Sequence, residues 1–149
     1  MPLAVTLATP AIFDAHRSTD RARMFFHSSS YTANPIACAA ANANMVIWRD
    51  EPVLERVADL GRRQQRQLDY FSGNPNIFNI RRLGTIAAFE IADTNGTYLS
   101  ALAPRLMAYA REHDVLLRPL GNTIYVMPPY CIDNGDLIAV YNIIRDYIN

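Results

Sequence analysis

Two short stretches of this sequence contain the residue types from which a binding site for a small anionic molecule can be built. In the first, Ser28-Ser29-Ser30-Tyr31-Thr32-Ala33-Asn34-Pro35, four small hydroxyl residues stand directly before a helix start. Hydroxyl donors, the free N–H groups of a first helical turn and the positive end of the helix dipole together suit a phosphate. The same residues also make an ordinary capping loop, since serine and threonine are common cap residues. In the second stretch Arg118 and Tyr125 lie on either side of the turn sequence Pro119-Leu120-Gly121-Asn122. A guanidinium grips a carboxylate through two parallel hydrogen bonds, and a nearby phenol can orient it. The plainer reading is a solvated arginine at a strand end.

Other chemistry is poorly served. All 14 basic residues are arginine, so a mechanism that needs a side-chain amine of this chain, such as an internal Schiff base, is excluded. Cys38 and Cys131 stand far apart with no CxxC or Cys/His spacing, which signals neither a disulfide framework nor a metal site. His16, His27 and His113 have no spacing that links them to a serine or cysteine nucleophile, so a hydrolytic triad has no support. The net charge of zero gives no pull toward nucleic acid or an anionic membrane. The apolar start, MPLAVTLATPAIF, lacks a basic leader and is interrupted before it could span a bilayer. A reducing cytoplasm is the expected setting.

These residues need elements to hold them. Leu3 to Leu7 reads as a buried strand and Met24-Phe25-Phe26 as a second short apolar strand. Between them, Thr9 caps a helix with Pro10 in its first turn, running to Ala15. Asn34 and Pro35 open an alanine-rich helix to Trp48, whose small residues would allow close packing within a larger body. A further helix begins after Pro52 with Val53, Leu54, Val57, Leu60 and Leu68 on one face and Gly61 as a weak point. Strands follow at Ile77 to Leu83 and Thr85 to Ala92, then a helix from about Tyr98 to His113. Val115 to Arg118 and Thr123 to Met127 read as two strands joined by the turn, and Asp133 caps a terminal helix. The second half is a compact α+β unit, while the first half has strands without neighbours.

The stretches HSSSYTANPIACAAANAN (27–44), LLRPLGNTIYVMPPY (116–130), RRLGTIAAFEI (81–91) and the opening PLAVTLAT resemble, in order, the class III aminotransferases that use pyridoxal 5'-phosphate. More narrowly, they are similar to the branch that works in biotin synthesis. The resemblance implies an α/β protein of fold type I, normally a homodimer. It implies transfer of the amino group of S-adenosylmethionine to 8-amino-7-oxononanoate. The family's cofactor-holding lysine lies shortly before the PLAVTLAT strand, so this chain looks like the C-terminal portion. Residues 1–49 would end the large cofactor domain, and 50–149 would form a connecting helix and the small domain. No catalytic residue is then assigned here, and the missing N-terminal portion becomes an expected partner. By the same resemblance Ser29 and Ser30 bind the cofactor phosphate of the partner subunit, Arg118 receives the substrate carboxylate, and Tyr125 lines the same pocket. Ser28 approaches the substrate, standing where the family commonly has glycine. Two alternatives stay open: a class III enzyme acting on another ω-amino acid, and a non-catalytic binding or dimerisation module.

Overall fold

The computed structural model describes residues 3–26, 30–93 and 100–149. The chain divides into two compact units, Met1–Glu51 and Pro52–Asn149.

In the first unit, helix α1 (Pro10–His16) and helix α2 (Pro35–Asp50) form where end signals dictate. Thr9 Oγ1 accepts from the Ile12 N–H at 3.4 Å, and Pro10 and Pro35 occupy first-turn positions where a missing N–H costs nothing. Ala37 is the one buried residue among those described in this unit. The expected strand at Leu3 to Leu7 is not formed: these residues carry no ladder and are exposed. Met24 to Phe26 likewise make no strand. A strand is defined by its neighbours, and the described part of the unit offers none. The alanine helix is exposed along nearly its whole length.

The second unit is built differently. Helix α3 (Val53–Asp69) leads through a turn to strand β1 (Ile77–Leu83), which pairs antiparallel with β2 (Ile86–Ile91); helix α4 (Leu102–Glu112), strand β3 (Thr123–Val126) and helix α5 (Asn134–Ile148) follow. The sheet order is β1-β2-β3, with β3 antiparallel to β2. Period-two alternation turns Ala87, Phe89 and Ile91 of β2, and Ile124 and Val126 of β3, onto one face. There they join Leu60 and Leu68 of α3, Leu106 of α4 and Leu137, Tyr141 and Ile144 of α5 in one core.

Four expectations for this unit need correction. Leu54 is 72 % exposed and does not share the buried face of α3. Gly61 is a close-packing position: a Cβ there would sit 3.0 Å from the Gly84 carbonyl oxygen and 2.8 Å from Arg82 Nη1. Helix α4 starts at Leu102, with the Ser100 hydroxyl accepting from the Leu102 N–H at 3.0 Å; Tyr98 and Leu99 lie outside the described residues. Val115 to Arg118 is not a strand: among the described residues the only pairing on this side of β3 is the isolated Leu120–Thr123 pair, and no ladder continues past it to residues 115–118.

Candidate functional site

Arg118 and Tyr125 are carried on the two arms of one tight turn. Leu120 and Thr123 exchange backbone hydrogen bonds, each at 2.9 Å, and Gly121 takes the positive φ of 60° that the turn demands. Asn122 ties the turn to the end of β2. Its side chain donates to the Ile91 carbonyl at 3.1 Å, and its own carbonyl accepts from the Ile91 N–H at 3.0 Å. The Leu120–Thr123 pair is isolated, so Arg118 and Tyr125 flank the turn without being joined by a ladder. The burial pattern shows which face each side chain uses. Leu117 and Pro119 are buried, as are Ile124 and Val126, whereas Arg118 is exposed and Tyr125 half-buried. Both side chains therefore belong to the face turned away from the core.

On that outer face Tyr125 stands beside Ala88, whose other neighbour is Arg81, and Thr123 stands beside Glu90. Arg81 and Glu90 are paired at 3.0 Å, so each neutralises the other. Arg118 has no hydrogen-bond or ion-pair partner among the described residues. An exposed, unpartnered guanidinium with a phenol on the opposite arm is chemically able to receive a carboxylate through two parallel hydrogen bonds. A cavity of about 590 Å³ opens beside the same turn, lined in part by Met107, Arg111, Pro119 and Leu120. Neither Arg118 nor Tyr125 lines it, as their outer-face position requires.

Ser30 belongs to the first unit. It lies exposed at the start of a turn that closes with the Asn34 N–H donating to the Tyr31 carbonyl at 3.2 Å. Ser28, Ser29 and His27 are outside the described residues. The first turn of α2 does not offer the free N–H groups that the sequence suggested. Pro35 has none, Asn34 Oδ1 accepts from Ile36 and Ala37 at 3.0 and 3.2 Å, and the Cys38 N–H donates to the Asn34 carbonyl at 2.9 Å. Among the described residues, the exposed hydroxyls of Ser30 and Thr32 and the helix dipole remain for an anion at this position.

Sequence reading passed over Gln64, which is fully buried on α3. The signal was available, since Gln64 stands four residues after Leu60 and four before Leu68, on the face that both leucines bury. Among the described residues no group of three His, Cys, Asp or Glu side chains is arranged to hold a metal ion, and no helix is long and apolar enough to cross a membrane.

Residues 1–148 match the family model described as aminotransferase class III. The chain belongs to the class III aminotransferases. Among curated relatives, it is 35 % identical over 150 residues to an adenosylmethionine-8-amino-7-oxononanoate aminotransferase of Synechococcus elongatus, covering 100 % of this chain and 35 % of that protein. It is 36 % identical over 140 residues to the rice mitochondrial bifunctional dethiobiotin synthetase/7,8-diamino-pelargonic acid aminotransferase, covering 88 % of this chain and 17 % of that one. This class III chain thus spans about a third, or less, of the length of these relatives. The fold is that of solved transaminases: a thermostable omega transaminase variant from Pseudomonas jessenii superposes with a TM-score of 0.74 at 23 % identity, over 85 % of this chain and 30 % of that one.

The family uses pyridoxal phosphate, and this part of the family fold fits only one side of it. Covalent capture of the cofactor's aldehyde needs a primary amine, and the chain has no lysine. The exposed Ser30 hydroxyl is a suitable donor to a phosphate.

Proposed function

We propose that this class III chain is the C-terminal part of an adenosylmethionine-8-amino-7-oxononanoate aminotransferase. In this reading, residues 1–49 end the large cofactor domain, and residues 50–149 supply a connecting helix and the small α+β domain. The reaction is transfer of the amino group of S-adenosylmethionine to 8-amino-7-oxononanoate, giving 7,8-diaminononanoate. The observation that carries it is the 35 % identity, over the whole chain, to a protein of that name. The division into compact units at Glu51 and Pro52 supports the domain assignment.

When bound, pyridoxal phosphate supplies the carbonyl that carries the amino group and the ring that draws electrons from the reacting carbon. The residues of this chain bind and orient. Ser30, with Ser29 beside it, donates hydrogen bonds to the phosphate of the partner subunit's cofactor. Arg118 takes the substrate carboxylate on its planar fork, Tyr125 walls the same pocket, and Ser28 approaches the substrate. The lysine that moves the proton comes from outside these 149 residues, so the chain alone is inactive.

The test combines the chain with a lysine-bearing remainder of the enzyme and pyridoxal phosphate. It compares S-adenosylmethionine with β-alanine and ornithine as amino donors. Diaminononanoate formed from S-adenosylmethionine alone supports the reading; product formed only with the other donors makes the chain a different ω-amino acid aminotransferase. No product with any donor, from pieces that are each folded, leaves a non-catalytic module. In the active assembly Arg118→Ala removes a charge-assisted bidentate contact worth about 2–3 kcal/mol. The KM for the carboxylate substrate should then rise roughly 30- to 140-fold while the cofactor's Kd stays within about threefold. Equal weakening of both would reassign Arg118.

A further inference from the structure

The carboxamide of Gln64 has both of its donors and its oxygen engaged. Its Nε2 donates to the Thr85 carbonyl at 2.7 Å and to the Val126 carbonyl at 3.1 Å, and its Oε1 accepts from the Tyr141 hydroxyl. These partners belong to three separate elements: the turn between β1 and β2, the last residue of β3, and α5. Burial pushes the Tyr141 phenol well above its ordinary value, so the hydroxyl stays protonated and keeps donating. The preceding residue on α3, Arg63, donates to the Ile132 carbonyl at 3.3 Å. Consecutive residues of one helix thus hold both ends of Met127-Pro128-Pro129-Tyr130-Cys131.

Strand β3 needs such support. It is four residues long, and among the described strands it pairs only with β2. A short edge strand is weakly held by its ladder alone. Helix α3, by contrast, lies close against the Gly84 backbone at Gly61 and buries Leu60, Gln64 and Leu68 in the core. Gln64 therefore spans from a fixed point, the turn at Thr85, to the free end of the edge strand at Val126. A buried carboxamide cannot exchange these partners for water, so displacing the Val126 carbonyl leaves an unmet donor in the core.

We propose that Gln64 is a positioning residue for the carboxylate pocket: it fixes the end of β3 and, with it, the adjacent Tyr125. Gln64 touches no ligand and acts only through the backbone. The proposal rests on the reading of Arg118 and Tyr125 as that pocket, and its test separates the two.

Amide hydrogen exchange is followed by NMR in the full 149-residue chain carrying Gln64→Leu or Tyr141→Phe. Gln64→Leu should speed exchange at Ile124 and Val126, the amides of β3 that face β2, by roughly tenfold, with Leu106 and Ala110 of α4 changing by less than about twofold. Tyr141→Phe leaves both Nε2 bonds and should give a smaller acceleration at the same amides. In the assembled enzyme, Gln64→Leu should raise the KM for the carboxylate-bearing amino acceptor several-fold with kcat unchanged. Acceleration spread equally over α4 and β3, or none at β3, overturns the proposal, as does a fall in kcat at constant KM. If the unsubstituted assembly makes no product, the pocket reading fails and exchange still decides whether Gln64 fixes β3. If Gln64→Leu does not fold, Tyr141→Phe decides by the same criterion.

Discussion

Helices α2 and α3 are almost equal in length, 16 and 17 residues, and are held by opposite means. Helix α2 has a complete cap: Asn34 accepts from two N–H groups and Pro35 removes a third that would have needed a partner. Yet Ala37 is the only one of its residues that is buried. Helix α3 begins just after Pro52, which gives it no side-chain cap, and it buries Val53, Leu60, Gly61, Gln64 and Leu68. The first unit is thus organised by local end signals and the second by packing. Ile36, Met45 and Trp48 of α2 lie exposed, a surface of the kind a class III enzyme of about three times this length has chain to cover.

The contrast is broken most directly by truncating one apolar residue in each helix. Leu60 is fully buried in the core of the second unit, and Leu60→Ala should cost about 2–5 kcal/mol, through lost transfer energy and the cavity left behind. Met45 is 65 % exposed, and Met45→Ala should change stability by less than about 0.5 kcal/mol. Denaturant titrations with a separate NMR probe in each unit would measure both, since one midpoint is not defined for two units. Similar costs at the two positions would mean that the first unit has a core of its own.

A change of opposite sign in the two helices sharpens the comparison. In an exposed helix alanine is better than glycine by about 1 kcal/mol, so Ala40→Gly in α2 should destabilise by that amount. In α3 the order should invert. Gly61→Ala places a methyl 3.0 Å from the Gly84 carbonyl oxygen and 2.8 Å from Arg82 Nη1. The arginine tip can move, at the expense of its 2.8 Å bond to the Gly84 carbonyl, but the backbone cannot. Overpacking of this kind costs about 1–3 kcal/mol. The same titrations check both variants, and a stabilised Gly61→Ala protein would show that the helix can back away from the turn.

The same division explains what could be read from sequence. The caps at Thr9, Asn34 and Asp133 were legible because a cap is a local event written in consecutive residues, and each side chain accepts an N–H bond as expected. The alternation of Ala87, Phe89 and Ile91 was legible because one face of β2 is buried. Leu3 to Leu7 failed because apolar, β-branched composition cannot supply the second strand that a ladder needs. Val115 to Arg118 failed for a similar reason: beyond the single Leu120–Thr123 pair no neighbouring strand among the described residues bonds to it, and apolar composition cannot supply one. Gly61 misled since propensity counts the cost of glycine and not the backbone that approaches it. At the candidate site, the turn between Arg118 and Tyr125 was legible. Their shared face was not, since it follows from which of their neighbours the core buries. Gln64 was hidden because a buried polar residue is justified only by partners 21, 62 and 77 residues away.

The most local effect belongs to the cap itself. Asn34→Ala removes the acceptor for the Ile36 and Ala37 N–H groups and should cost about 1 kcal/mol. The loss falls on the first turn of α2, and little packing is there to spread it. Exchange at Ile36, Ala37 and Cys38 should therefore quicken roughly fivefold, with amides of α3 and α5 unaffected. The reverse change, Pro52→Ser at the start of α3, offers a cap to a helix that burial already holds. It should slow exchange at Glu55 and Arg56 only slightly, because those N–H groups open with the unit rather than with the helix end. Should Pro52→Ser protect α3 as much as Asn34→Ala exposes α2, end signals would govern both helices, and packing would not be what distinguishes the two units.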